Sequence, residues 1–380
     1  MPSRPTDHAE MNLARLHLDV ASGRAGGKII WQPRILCWWS DKEFLGQKRP
    51  APYDKMTYVQ MYRHLQCSNR IYEYGACFER VEDPRVNVSE RRLSETDREV
   101  AWETPVGTQR AVNHRSPYHR SVRTEKWPLC DEDDMRVATW REEHATWRWN
   151  QEEFDQLQAI WGDIGAPTAY LERVTVQYLY INAMGVENAI YALHDWPGPV
   201  EKFFAALNES HDRLIDVVNA SPIEIINFGD NVHSATLSPE LFRKYVLPAY
   251  QHRCERLHAA GKFVHAHWDG DCKPLLPYAR ETGLDGIEAI TPLPQGDVTL
   301  EEIKAALGDE MFLIDGIPAI YFDRTFDEQV LIDCVRKIID LFAPKLILGI
   351  SDEISSTGDI ERIRLVGQIV DDYNASLPEG

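Results

Sequence analysis

Seven cysteines in 380 residues (Cys37, Cys67, Cys77, Cys130, Cys254, Cys272 and Cys334) make an odd count with no CxxC pair, which excludes a disulfide framework and a zinc ribbon. No apolar run approaches the ~20 residues that span a bilayer. The first residues, MPSRPTDHAEMNLARLHLDV, contain no apolar signal-peptide segment. The expectation is a soluble, cytoplasmic protein that does not enter a membrane. Basic residues are outnumbered, 41 against 60 acidic, for a net charge of −19. Nucleic-acid binding depends on cationic contacts to phosphates, so it is excluded as the main role. No GxGxxG stands between a strand and a helix, and GxxxxGK[ST] and GxSxG are absent. Dinucleotide binding, a phosphate-binding loop and a hydrolase nucleophile elbow therefore have no support. There is no Pro/Gly/Ser-rich linker, low-complexity tract or internal repeat.

What is present is the composition of a folded chain, 43% hydrophobic and 27% charged. Residues 1–27 read as a helical lead-in, and GKIIWQPRI as a buried strand starting near Lys28. Residues 37–150 hold most of the tryptophans and lack clean periodicity; TPVGTQRA around Pro105 and Gly107 suggests a hairpin. Residues 1–150 are expected to form an N-terminal elaboration that includes the first strand, packed on one domain completed by residues 151–380.

From about residue 165 short apolar runs alternate with helical stretches. IEIINF (223–228), KFVHAH (262–267), LDGIEAI (284–290), MFLIDG (311–316) and KLILGIS (345–351) read as strands. Helices are expected over 238–260, capped by Ser238 and bent at Pro248, and near 272–282, 299–307, 326–342 and 358–375. Five successive βα units predict a parallel sheet, closed as a (β/α)8 barrel.

A barrel builds its site at the C-terminal ends of its strands. Asp230 and His233 follow IEIINF, and His265 and His267 end KFVHAH. Glu288, Asp315 and Asp352 stand at the next three strand ends. With a period of two, His265 and His267 share one strand face, where both imidazoles can reach one metal ion. With Glu288 and Asp352 they form a nitrogen and oxygen set that suits zinc, and iron or manganese as well. Cys272 is a further ligand or a buried thiol. Asp230 and His233 can orient substrate or deliver a proton, or His233 can simply cap its loop. Arg34, Trp38 and Asp315 are candidate substrate contacts, with Arg34 alternatively in an ion pair and Trp38–Trp39 alternatively packing the elaboration.

NFGDNVHSATLSPELFRKYVLPAYQ (227–251), VHAHWDGD (264–271), GLDGIEAITPLPQGDVTLEEIKAALGD (283–309), LIDGIP (313–318) and LILGISDEI (346–354) resemble the uroporphyrinogen decarboxylase superfamily over roughly residues 165–375. The resemblance implies a (β/α)8 barrel. One branch comprises cofactor-free decarboxylases with an arginine-rich N-terminal motif; QPRILCWWSDKEFLG (32–46) keeps one arginine and lacks it. The other comprises zinc methyltransferases that work with corrinoid proteins, and in their thiol-activating members the ligands are His-x-Cys and a later Cys. His265 matches that His, His267 stands for the first Cys and Asp352 for the late one. The resemblance to substrate-side O-demethylase components implies a methoxylated, or otherwise methylated, small molecule as donor. It implies zinc as Lewis acid and a corrinoid on a separate protein. A metal-free lyase acting on a small carboxylate is the alternative, and monomer or homodimer is left open.

Overall fold

A computed structural model describes residues 12–118 and 121–378. Its strands in chain order are β1 (Ile30–Trp31), β2 (Phe78–Val81), β3 (Asn87–Arg92), β4 (Asp97–Thr104), β5 (Gly107–Arg115), β6 (Val122–Lys126), β7 (Thr146–Trp149), β8 (Thr168–Leu171), β9 (Ile225–Val232), β10 (Phe263–Trp268), β11 (Gly286–Glu288), β12 (Phe312–Ile317) and β13 (Leu346–Ile350).

Seven strands form a parallel sheet in the order β1-β13-β12-β11-β10-β9-β8. The segment Ser68–Ile71 fills the remaining gap. The Ser68 N–H donates to the Trp31 carbonyl (3.0 Å), Ile71 bridges Pro167 in parallel, and the Thr168 N–H donates to the Ile71 carbonyl (3.3 Å). The architecture is the expected (β/α)8 barrel with added N-terminal elements. Its strands are apolar on both faces because helices cover the outside and side chains fill the inside; Phe312–Ile317 and Leu346–Ile350 are buried throughout.

The covering helices follow their sequence signals. Thr299 caps Leu300–Leu307 through a capping box with Glu302, and Asp327 caps Glu328–Phe342. The bend expected at Pro248 takes the form of a π turn, Phe242–Val246, just before Leu247–His258. The helix expected near 272–282 reduces to a 3-10 turn, Leu276–Glu281. Pro274 and Pro277 remove the N–H groups a regular helix needs there.

The unread region 37–150 is a mixed excursion. Helices Leu36–Phe44 and Tyr58–Leu65 follow β1. β3–β6 form an antiparallel sheet, and β2 pairs β7. The expected hairpin joins β4 to β5, with Thr104 opposite Gly107. Among the described residues no helix is long and apolar enough to cross a membrane.

Candidate active site

Inside the barrel the strand parity decides which polar groups meet. On β9 the inward positions include Asn227, on β10 His265 and His267, and on β11 Glu288. His265 lies opposite Asn227 in register, and His267 opposite Glu288. The Glu288 carboxylate, 1% exposed, is the hub. Its Oε1 faces Arg70 Nη1 (3.1 Å) and His267 Nδ1 (3.2 Å). Its Oε2 accepts from Asn227 Nδ2 (2.6 Å) and the Tyr72 hydroxyl (2.5 Å), with His265 Nδ1 at 3.2 Å.

Arg70 is gripped from the other side by Asp315, with Nη2–Oδ1 at 2.5 Å and Nη1–Oδ2 at 3.2 Å. Space for that carboxylate comes from Gly349 on β13, where a Cβ would fall 2.1 Å from Asp315 Oδ1. Asp315 and Ala289 hold positive φ values of 80° and 69° although neither is glycine. Left-handed backbone at such residues costs roughly 1–3 kcal/mol and persists only where the surroundings enforce it. The chain continues below: Arg70 Nε reaches Gln32 Oε1 (3.4 Å), and Gln32 Nε2 contacts Ser68 Oγ (3.1 Å) and His17 Nδ1 (3.0 Å) of the N-terminal helix Leu13–Ala21.

Charge states follow from these contacts. Burial works to raise the Glu288 carboxyl, but Arg70, His265 and His267 outweigh it and hold the group well below the carboxylate range. Burial pushes His265 below its ordinary value against the pull of Glu288, so that imidazole is neutral near pH 7. Burial, then Arg70 and His265, push His17 down to about 3. Burial raises the Tyr72 phenol well above its usual value, so it stays protonated and donates. Asp315 is pushed up by burial, which Arg70 only partly offsets.

Beside this network opens a cavity of about 640 Å³, with Arg34, Tyr58, Tyr72, Tyr170, Glu172 and Glu353 in its wall. Arg34 is 3.9 Å from Glu288 Oε1 and 3.7 Å from Glu353 Oε1, too far for hydrogen bonds. Its Nη1 is buried without a hydrogen-bond partner. Burial opposes its charge, but Glu288, Asp315 and Glu353 together raise its pKa above the ordinary value.

The other expected site residues are placed as follows. Asp230 points out of the barrel into the helix layer. Its oxygens accept from the Val174 N–H (2.9 Å) and the Tyr250 hydroxyl (2.9 Å), so it joins loop to helix and is not part of the Glu288 group. His233 caps its own turn, with Nε2 on Thr236 Oγ1 (3.2 Å). Asp352 is exposed, and its Oδ1 accepts from the Glu353 N–H (2.7 Å); the acid that reaches the mouth from β13 is its neighbour Glu353. Trp38 is 2% exposed, donates to the Gly358 carbonyl (3.1 Å) and meets Tyr53 edge-on, so it packs the elaboration and is not in the wall of the cavity beside Glu288. Asp315 is spent on Arg70 and is not a substrate contact. Cys272 is a buried thiol on the Val232 carbonyl (3.5 Å).

Three of the four expected metal ligands, His265, His267 and Glu288, therefore meet, but not as a ligand set. The carboxylate oxygens are turned to Arg70, Tyr72 and Asn227, and two guanidiniums stand where a cation would be attracted. Among the described residues no three His, Cys, Asp or Glu side chains are arranged to hold a metal ion. The arrangement does not fit the expected zinc set.

Arg70, Tyr72 and Asn227 escaped the sequence reading, and at the last strand end Asp352 was chosen over its neighbour Glu353. Asn227 left a trace, a lone amide in the apolar run IEIINF. Arg70 and Tyr72 sit in CSNRIYEYG, whose eighth-strand segment is too short to show a period.

The family model described as uroporphyrinogen decarboxylase (URO-D) matches residues 154–373, more than half of the chain. A search of curated proteins finds no match. Among solved structures, a methyltransferase from Methanosarcina mazei aligns with a TM-score of 0.55 at 10% identity, covering 94% of this chain and 97% of that one, a likeness of fold. A vitamin-B12-independent methionine synthase candidate from Listeria monocytogenes aligns at 16% identity with a TM-score of 0.37, covering 58% of this chain and 68% of that one.

Proposed function

The chain belongs to the uroporphyrinogen decarboxylase family, and from that premise we propose that it is an enzyme of the methyl-transfer type. In this reading it takes a methyl group from a small methylated carboxylate and passes it to a corrinoid carried on a separate protein. The observation that carries the substrate half is the Arg34 guanidinium, which lines the cavity with its side chain 22% exposed and has its nearest carboxylates at 3.7 and 3.9 Å, beyond hydrogen-bond distance. An arriving carboxylate would take charge-assisted hydrogen bonds from its accessible donors.

The same cavity argues against the family's namesake substrate. Among the described residues Arg34 and Arg70 are its only lining cations, Arg70 is committed to Asp315 and Glu288, and Glu73, Glu172 and Glu353 share the wall. An octa-acid tetrapyrrole would meet one available guanidinium among carboxylates. One molecule with a single anionic group suits it better.

In the proposed reaction the bond between oxygen and methyl breaks, the electron pair stays on oxygen, and that oxygen takes up a proton. The methyl group forms its new bond to the cobalt, and the proton comes from solvent. Tyr72, in the cavity wall, gives its own proton to Glu288 and so offers the substrate an acceptor oxygen, not a proton. No step is assigned to a metal.

A second reading, a lyase releasing carbon dioxide from a small carboxylate, is favoured by the engagement of Glu288 with Arg70 in place of a metal site. The test combines purified protein, a reduced corrinoid protein and a panel of methylated monocarboxylates, following methyl-cobalt absorbance and carbon dioxide release together. Methyl-cobalt formation that Arg34→Gln reduces by ~10-fold or more supports the first reading. Carbon dioxide without methyl-cobalt replaces it with the second.

A further inference from the structure

Glu353 occupies an unusual position for a surface-loop acid. Its Oε2 accepts from the Cys37 N–H (2.9 Å) in the first turn of helix Leu36–Phe44, which begins without a side-chain cap from Ile35. Its Oε1 stands 3.7 Å from Arg34 Nε, and its side chain is 19% exposed. It is thus fixed beside the one uncommitted guanidinium of the cavity but does not hydrogen-bond it. Glu73 and Glu172 line the same cavity. Burial, then Glu142, push the Glu172 carboxyl up, against the pull of Arg173, Arg80 and Arg253.

We propose that Glu353 is a specificity-determining residue that makes the Arg34 site a receptor for monocarboxylates and turns dianions away. The inference rests on the reading of Arg34 as the carboxylate anchor and goes one step past it. One guanidinium can neutralise one carboxylate. A second negative charge on the ligand would enter a cavity whose other cation, Arg70, is already paired with Asp315 and Glu288, and whose remaining lining charges are acids. The nearest fixed one is Glu353, which the helix contact prevents from swinging out. Selection of this kind works by repulsion built against the wrong ligand as much as by attraction to the right one. The position also explains why Arg34 stays under-satisfied: Glu353 is near enough to hold its charge and too far to spend its donors.

The test is calorimetric titration of the full chain with benzoate and terephthalate, a mono- and a dianion of the same ring, with benzamide as neutral control. Wild-type protein is expected to bind benzoate at least ~10-fold more tightly than terephthalate and to leave benzamide unbound. Glu353→Gln keeps an acceptor for the Cys37 N–H and removes the charge. It should bring the benzoate-to-terephthalate ratio to within about threefold. Arg34→Gln should lose benzoate binding. If Glu353→Gln leaves the ratio unchanged while Arg34→Gln abolishes benzoate binding, the role of Glu353 fails and the anchor stands. If wild-type protein does not bind benzoate, or Arg34→Gln binds it as well as wild type, the anchor fails and this inference with it. A Glu353→Gln protein that unfolds is replaced by Glu353→Ser, for which the same ratio decides.

Discussion

Replacing Arg70 by methionine keeps most of the side chain's volume and removes its charge. Two carboxylates would then be left, 1% and 0% exposed, that Arg70 had separated and paired. Arg70 is itself 4% exposed, so solvent screening does not soften the loss. Removing one partner of a buried pair costs about 3–5 kcal/mol. At roughly 2.1 cal/mol/K per residue, a chain of 380 residues has an unfolding entropy near 0.8 kcal/mol/K, so Tm should fall by about 4–6 °C at pH 7. The pH dependence is the sharper signature. In the wild type the Glu288 pKa lies below its unfolded value, so its contribution is present above about pH 4.5 and is lost as pH falls toward the folded pKa. In Arg70→Met the folded pKa of Glu288 should rise above its unfolded value, and that of Asp315, already raised by burial, should rise further. The folded protein then binds more protons than the unfolded chain, and stability falls as pH rises through that window. Urea unfolding at pH 5 and pH 7 measures both terms: the deficit against wild type should be larger at pH 7. A deficit that is larger at pH 5, or absent at pH 7, would refute the ion-pair account of the barrel interior.

Three further outcomes are expected. At Gly229 a Cβ would lie 1.7 Å from the Tyr170 ring, so Gly229→Ala should destabilise by about 3 kcal/mol or more in urea unfolding and disturb the cavity wall. Asp352→Asn should stay within about 0.5 kcal/mol of wild type and leave benzoate affinity unchanged, because the residue is exposed and bonded only to its neighbour's backbone; a large loss of either would restore it to the site. Asp230→Asn disturbs a buried contact between loop and helix and should cost about 1–3 kcal/mol, with benzoate affinity within about threefold of wild type by calorimetry.

The barrel was legible because βα alternation is a repeated, local signal: five apolar runs, each followed by a helix or its remnant, three of those helices with a side-chain cap at Ser238, Thr299 and Asp327. The helix remnant at 276–281 was misread because Pro274 and Pro277 weigh more than the flanking apolar residues. The shared face of His265 and His267 was legible from strand parity, and Glu288 from its place at a strand end. Strand-end position misled at the last strand, where the backbone turns after Ser351 and presents Glu353 while Asp352 folds onto its own turn. Asp230 was misassigned for a related reason. It follows an inward-facing Gly229 on the same strand and so faces the helices, a phase that depends on where the strand starts. Arg70 and Tyr72 were illegible because their segment gains its place by closing the barrel, a contact between distant parts of the chain that no local pattern announces. The metal expectation rested on residue types; which partners those oxygens face is set in three dimensions.

In the proposed function the mouth of this barrel holds one small monocarboxylate on Arg34. Anomalous diffraction from crystals soaked in 4-bromobenzoate tests it most directly, since the bromine reports position independently of any activity. The predicted result is a bromine peak inside the tyrosine-lined cavity with the carboxylate on the Arg34 guanidinium. A bromine peak elsewhere with that cavity empty at saturating ligand would contradict it.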